Sequence, residues 1–112
     1  MDNPPVSRDP NKIDYNRIYS GKEVDRRARV LEKPEPIYTA AARQHNITGT
    51  IVLRAVLTAQ GQVTDIKALS TLPDGLTERA IEAARRIRFE PALINGRPVS
   101  MYIQLEYNFN LY

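Results

Sequence analysis

The segment from Val99 to Tyr112 alternates strictly between two kinds of position. Every second residue from Val99 to Leu111 is apolar or aromatic, and the residues between them are mostly polar. A period of two is typical of a strand with one buried face. Strands usually have about five or six residues. We therefore expect this long strand to extend past its neighbours and to leave part of an edge unpaired, which is a template for another strand.

A second alternating segment lies in the middle of the chain. Ile51, Leu53, Ala55 and Leu57 form one fully apolar face, and the residues between them are mixed. A turn centred on Gly61 follows, and a further β-branched segment begins after it. Two strands joined by so short a loop pair antiparallel, so this region is predicted to be a β-hairpin.

Two segments have helical patterns. Thr39 is suited to cap a short helix, with Asn46 as its left-handed final residue. Asp74 is suited to cap a longer helix, which Pro91 is predicted to end. The apolar residues of the longer helix recur at three- and four-residue steps, as one buried stripe requires; they are Leu76, Ala80, Ile81, Ala84 and Ile87.

The predicted order of elements is α-β-β-α-β. It indicates a small two-layer α+β domain, a three-stranded antiparallel sheet with two helices on one face. This domain is expected to occupy residues 34–112. Residues 1–33 are rich in proline and polar residues, and they are predicted to be a linker or a loosely docked N-terminal arm with a short strand near residues 28–32.

Composition limits the chemistry. The chain has no cysteine, which excludes disulfides, a Cys-type zinc site and a thiol nucleophile. Its only histidine, His45, has no second ligand at a metal spacing, and the acidic residues show no pairing suited to acid–base work. We therefore predict neither an enzyme nor a cofactor or metal site.

The charge is modest, with 16 Lys and Arg against 13 Asp and Glu. Two basic clusters, at residues 25–29 and 84–88, are interpreted as solvated faces, with contact to acidic lipid or an acidic partner as the alternative. The aromatic residues of the terminal strand have no basic stripe between them. Nucleic acid is therefore not predicted as a partner.

Several motifs together resemble the C-terminal domain of TonB-family energy transducers. They are Pro36 and Tyr38 before the first helix, Gly49 and Gly61 in the hairpin, Ala80 and Ala84 on the second helix, and the sequence FEPA at residues 89–92. The resemblance covers residues 34–112 with the same order of elements. Thr39 departs from the pattern, because the family often has proline there, but both residues start helices.

The resemblance implies a periplasmic domain without catalytic chemistry. In this family the full-length protein is anchored in the inner membrane, and its N-terminal anchor, missing from this sequence, engages the proton-driven ExbB–ExbD motor. The C-terminal domain docks the TonB-box peptide of TonB-dependent outer-membrane transporters, which adds as a strand beside the last strand. Proton-motive force is thereby coupled to active uptake.

The family's contact regions map onto the segment before the first helix and onto the terminal strand. The implied partner-binding residues are Glu35, Pro36, Ile37, Tyr38, Tyr102, Gln104, Glu106, Tyr107, Asn108, Phe109 and Asn110. Two alternatives stay open. One is a TonB/TolA-like periplasmic binding module for another envelope assembly, and the other is a structural homodimerisation module that uses the same strand edge.

Overall fold

The computed structural model describes residues 13–111. Within this range the chain forms two helices and seven strands. They are β1 (Ile18–Tyr19), β2 (Arg29–Glu32), α1 (Ala40–Gln44), β3 (Gly49–Leu57), β4 (Val63–Ala68), α2 (Leu76–Arg85), β5 (Arg88–Glu90), β6 (Ala92–Ile94) and β7 (Arg97–Phe109).

The main sheet is built around β7. Strand β3 pairs antiparallel with it over nine residues, from Gly49 opposite Phe109 to Leu57 opposite Met101. Strand β4 pairs with the other edge of β3, as the hairpin pattern predicted. Strand β1 runs parallel to β7 beside Ser100 and Met101, and β6 pairs with β7 at its beginning.

The expectation of a three-stranded sheet was wrong, because the main sheet has five strands among the described residues. The two strands that the sequence missed, β1 and β6, have two and three residues. Such short segments carry no recognisable period of two. Strand β6 is held by a two-residue turn in which Asn95 and Gly96 both have positive φ, 51° and 75°, the conformation that tight hairpins favour.

The long helix ends earlier than predicted. Helix α2 stops at Arg85, and the residues before Pro91 form β5, which pairs antiparallel with β2. The predicted Asp74 cap was also wrong: Gly75 is the N-cap residue, with a φ of 81° and no side-chain cap bond. The Asp74 carboxylate instead lies 2.7 Å from Nδ1 of His45.

The short helix begins as predicted. The Thr39 hydroxyl accepts a hydrogen bond from the Ala42 N–H at 3.1 Å, and Asn46 adopts a left-handed φ of 55°. The hydroxyl of Thr39 also donates to the Asp74 carbonyl at 2.7 Å. This bond ties the start of α1 to the loop before α2.

The main core lies between the helices and one face of the sheet. Both helices contribute small side chains, because alanines let them approach the sheet closely. The fully buried members from the helices and the sheet are Ala42, Leu76, Ala80, Ala83, Ala84, Ile51, Leu53 and Leu57. Residues at odd positions of β7, such as Leu105, complete this core.

A second, smaller core lies beneath residues 13–28. Ile13, Tyr19 and Val24 pack against apolar residues of β6 and the first half of β7. Tyr19 is 2% exposed, and its hydroxyl donates to the carbonyl of Asp14 at 2.8 Å. A strand, β2, lies at residues 29–32, within the range 28–32 in which the sequence indicated a short strand.

Candidate functional site

The two edges of β7 differ in what covers them. On the inner edge, β3 lies alongside residues 101–109. Val52 stands opposite Glu106, but its N–H donates to Ser70 Oγ at 2.9 Å and its carbonyl accepts from the Leu69 N–H at 2.8 Å. Val52 therefore directs its backbone towards β4, and the backbone groups of Glu106 point to the opposite edge of β7.

That opposite edge is open over much of its length. Backbone groups of alternate residues in an antiparallel pair point to the same side, so Gln104 and Asn108 share the orientation of Glu106. Among the described strands, β1 covers this side of β7 only beside Ser100 and Met101. We call the stretch from Gln104 to Asn108 the outer edge.

One side chain is bonded to the outer edge. The ammonium group of Lys33 donates to the Glu106 carbonyl at 2.6 Å. The same ammonium lies 4.5 Å from the ring centroid of Tyr107, a distance suited to a cation–π contact. Lys33 thus occupies one of the carbonyl acceptors that an added strand would use.

A groove of about 510 Å³ lies beside the outer edge. The segment before α1 forms one wall, and the end of β7 forms the other. Its lining residues are Lys33, Pro34, Glu35, Pro36, Tyr38, Arg43, Glu106, Tyr107, Asn108, Phe109 and Asn110.

Aromatic contacts fix the two walls relative to each other. The rings of Tyr38 and Phe109 meet edge to face with centroids 5.5 Å apart, a favoured geometry for such pairs. The Tyr38 hydroxyl donates to the carbonyl of Ile47, and the Arg43 guanidinium lies 4.8 Å from the centroid of its ring. Tyr38 is therefore held by contacts on its edge, its face and its hydroxyl.

Tyr107 places a polar atom in an apolar environment. Its side chain is 4% exposed, and its hydroxyl has no hydrogen-bond partner among the described residues. Burial disfavours the charged phenolate and raises the pKa of Tyr107 to about 12. Phe109 is similarly buried, and its ring packs against Tyr38 in the wall of the groove.

The structure brings together eight of the eleven residues that the resemblance singled out. The three outside the groove are Ile37, Tyr102 and Gln104. Ile37 is 57% exposed, and Tyr102 lies on the helix-free face of the sheet with the Arg54 guanidinium 5.1 Å from its ring centroid. Gln104 has an exposed side chain at the far end of the outer edge.

Sequence reasoning missed three groove residues, Lys33, Pro34 and Arg43. The first two directly precede Glu35, so extending the contact segment by two residues would have included them. Arg43 lies in the last turn of α1, and only the packing of that helix shows that it returns to Tyr38. No local signal in the sequence marks it.

The arrangement offers backbone hydrogen bonding and no reactive centre. No three histidine, cysteine or acidic side chains within residues 13–111 are grouped so as to hold a metal ion. None of the helices in the same range is long and apolar enough to cross a membrane. Fold and site together define a small α+β domain with an open strand edge beside a groove.

Comparison with known proteins identifies the family. The model of the Gram-negative bacterial TonB protein C-terminal domain matches residues 34–111, and the chain therefore belongs to this family. TonB-family proteins are energy transducers and not enzymes. Their C-terminal domain is periplasmic in Gram-negative bacteria.

Sequence relatives agree with the family match. TonB of Vibrio cholerae is 33% identical over 89 residues, which are 79% of this chain and 36% of that protein. TonB of Escherichia coli is 34% identical over 73 residues, which are 64% of this chain and 29% of that protein. The chain thus spans about a third of the length of these relatives.

Solved structures share the fold. The solution structure of the Pseudomonas aeruginosa TonB C-terminal domain superimposes with a TM-score of 0.62 at 24% identity, over 75% of this chain and 86% of that one. The Helicobacter pylori domain gives a TM-score of 0.55 at 23% identity, over 69% of this chain and 70% of that one. At these identities the likeness concerns the fold alone.

Proposed function

We propose that this domain docks the TonB-box peptide of an outer-membrane transporter by strand addition at the outer edge of β7. The observation that supports the proposal is the open edge itself. Gln104, Glu106 and Asn108 direct backbone donors and acceptors away from β3. Such an edge binds an extended peptide through its main chain, while nearby pockets select side chains.

The groove supplies the selective part of the site. Segment 33–38 stands beside the outer edge, so a peptide strand added there would lie between this segment and β7. The polar side chains of Glu35, Glu106 and Asn108 are exposed beside this position. Asn108 Oδ1 accepts from the Thr50 hydroxyl, which leaves its amide N–H groups for the peptide. The main chain would contribute affinity, and these side chains would contribute selectivity.

Strand addition also suits a protein that transmits force. A pull directed along paired strands loads several hydrogen bonds at once, so the pair resists more force than one opened bond by bond. In the proposed role the domain passes tension from the ExbB–ExbD motor, which draws on the proton-motive force, to the transporter. The inner-membrane anchor that engages the motor belongs to this proposal, since the relatives are about three times longer than the matched region.

Titration of the ¹⁵N-labelled chain with a TonB-box peptide tests the docking step. We expect amide shifts concentrated at residues 104–110 and 33–38, with micromolar or weaker affinity. Sedimentation of the same sample must show a monomer, because a homodimer formed through β7 would block the same edge. A monomeric chain whose amides do not move at millimolar peptide would refute the proposal.

A further inference from the structure

The two basic clusters of the sequence meet in the folded chain. Strand β2 pairs antiparallel with β5, placing Arg29 opposite Glu90 and Arg88 beside Glu32. The exposed Arg85 and Arg86 directly precede β5 in the chain, so both clusters contribute to one surface around this pair of strands. We call it the arginine surface; its members are Arg26, Arg27, Arg29, Arg85, Arg86, Arg88, Glu32 and Glu90.

The arginine surface accounts for the basic character of the whole protein. Its six arginines outnumber its two glutamates and the neighbouring Asp25 by three, and the entire chain also carries +3. Glu90 is shared by Arg26 and Arg29 at 3.3 and 2.8 Å, and Glu32 lies 3.6 Å from Arg88. Nearby Asp25 directs its carboxylate to the Asn95 N–H on the adjoining hairpin.

The surface projects outward rather than forming a deep site. The side chains of Arg26, Arg29 and Arg88 are 58%, 68% and 76% exposed. Leu31, which lies on β2, is 53% exposed. Exposed cations near an exposed leucine suit a partner that presents many anionic groups at its surface and an apolar layer below them.

We propose that the arginine surface binds an anionic phospholipid membrane. Guanidinium groups pair with phosphate oxygens through two parallel hydrogen bonds, and a net positive patch is attracted to anionic lipid within about one Debye length. Leu31 would enter the headgroup region. Because β2 continues directly into Lys33, this contact would hold the peptide groove at a defined orientation to a membrane.

Co-sedimentation with vesicles tests this proposal independently of peptide docking. The whole 112-residue chain is mixed with phosphatidylcholine vesicles with and without phosphatidylglycerol. We expect binding only to the anionic vesicles, weakening as salt rises. Neutralising Arg27, Arg85 and Arg86 to glutamine should reduce the partition coefficient at least about tenfold, since each cation near an anionic surface contributes about fivefold.

A matched control carries the same change in charge elsewhere. The triple variant Arg43→Gln, Arg54→Gln and Lys67→Gln also removes three positive charges, but none belongs to the arginine surface. Its partition coefficient should stay within about threefold of the unmodified chain's if the position of the charges, rather than the net charge, determines membrane binding. Leu31→Ser provides a second variant: it leaves the charge unchanged and should still weaken binding.

Three results would overturn the proposal. The first is no binding to anionic vesicles at low salt. The second is an equal loss of vesicle binding in both triple variants, which would indicate that net charge alone determines binding. The third is tight binding of polyglutamate from which phosphatidylglycerol vesicles do not displace the chain. This result would indicate that the partner is an acidic protein. None of these outcomes bears on the peptide titration, and urea unfolding of each variant confirms that it is folded.

Discussion

Single residues at the groove determine how accessible the outer edge is. Lys33 is bonded to the Glu106 carbonyl and lies over the ring of Tyr107. Arg43 lies over Tyr38 in the same groove and, among the described residues, makes no hydrogen bond to the outer edge of β7. The two cations therefore differ in one respect: only Lys33 competes for a backbone acceptor that an added strand would need.

Replacing Lys33 by methionine is expected to strengthen peptide binding about three- to tenfold. The substitution keeps an unbranched side chain over Tyr107 and removes a solvent-exposed hydrogen bond to the edge, worth about 1 kcal/mol. The measurement is the dissociation constant from amide titration.

Arg43→Met is the control for this experiment, because it removes a ring-stacked cation from the same groove without freeing the edge. In the peptide-free protein, Lys33→Met should also shift the carbonyl ¹³C resonance of Glu106, and Arg43→Met should not. If Lys33→Met binds peptide no better than Arg43→Met does, Lys33 does not obstruct the edge.

Burial of Tyr107 predicts a loss of stability in alkali. The folded-state pKa of about 12 lies above the ordinary value of 10, so the unfolded chain releases this proton first. Stability is therefore unaffected below about pH 10 and falls as the pH rises from there towards 12. Urea unfolding across this range should show a shallower fall for Tyr107→Phe.

The same variant tests the unpaired hydroxyl of Tyr107. Since that hydroxyl is buried without a partner in the described chain, its removal should leave stability at neutral pH unchanged or raise it by up to about 1 kcal/mol. Tyr19 also has a pKa raised by burial, so the alkaline loss should be reduced and not abolished. Destabilisation of Tyr107→Phe by more than about 1 kcal/mol would show that the hydroxyl is bonded.

At the scale of elements, β7 combines two roles. Its odd-numbered residues pack into the core and its inner edge is bonded to β3, so the strand is held rigidly. Its outer edge has no strand beside Gln104 to Asn108 in the described part of the chain, and one acceptor there is bonded to Lys33. A strand held in this way presents an ordered row of donors and acceptors, so a peptide that pairs with it need not order the receptor as well.

Backbone methylation of the peptide tests strand addition directly. In a peptide paired with β7, only alternate N–H groups point at the outer edge. N-methylation at those positions should weaken binding about tenfold or more, because it removes a hydrogen bond and adds bulk at the contact. Methylation at the intervening positions should have an effect of about twofold or less, measured by titration. A peptide that loses affinity equally at every position is not bound as a strand.

At the scale of the whole molecule, residues 13–28 are part of the folded structure. They cover the second core and place β1 beside β7, immediately before the outer edge begins. We infer that this segment determines where the open edge starts, because β1 occupies the edge at Ser100 and Met101.

Tyr19→Ala is expected to detach this segment and to cost about 3 kcal/mol of unfolding free energy. The change removes a fully buried ring and leaves a cavity. Tyr19→Phe, which loses only the hydrogen bond to Asp14, should cost about 1 kcal/mol. Urea unfolding measures both values.

Amide hydrogen exchange locates the effect of Tyr19→Ala in the structure. Exchange should accelerate at Ser100 and Tyr102 while the amides bonded to β3 stay protected. A cost for Tyr19→Ala no larger than that of Tyr19→Phe would indicate that the segment is only loosely docked.

The sequence by itself determined the elements whose signals are local and long. The period of two in β7 and in the β3–β4 hairpin, the alanine-rich stripe of α2 and the Thr39 cap all depend on neighbours in the chain. These features follow from short-range geometry, which a sequence displays directly. Most of the groove residues were instead implied by the family resemblance, and no periodicity or spacing indicated them.

Only the tertiary structure decided the rest. Strands β1, β5 and β6 have two or three residues each, too few to show a period, and they exist because distant partners supply their hydrogen bonds. The Arg29–Glu90 pair joins residues 61 positions apart, and the Lys33–Glu106 bond joins residues 73 apart. Such long-range pairing determines which edge of β7 is open, and it brings the two basic clusters together in one surface. A single sequence carries no local signal for this pairing.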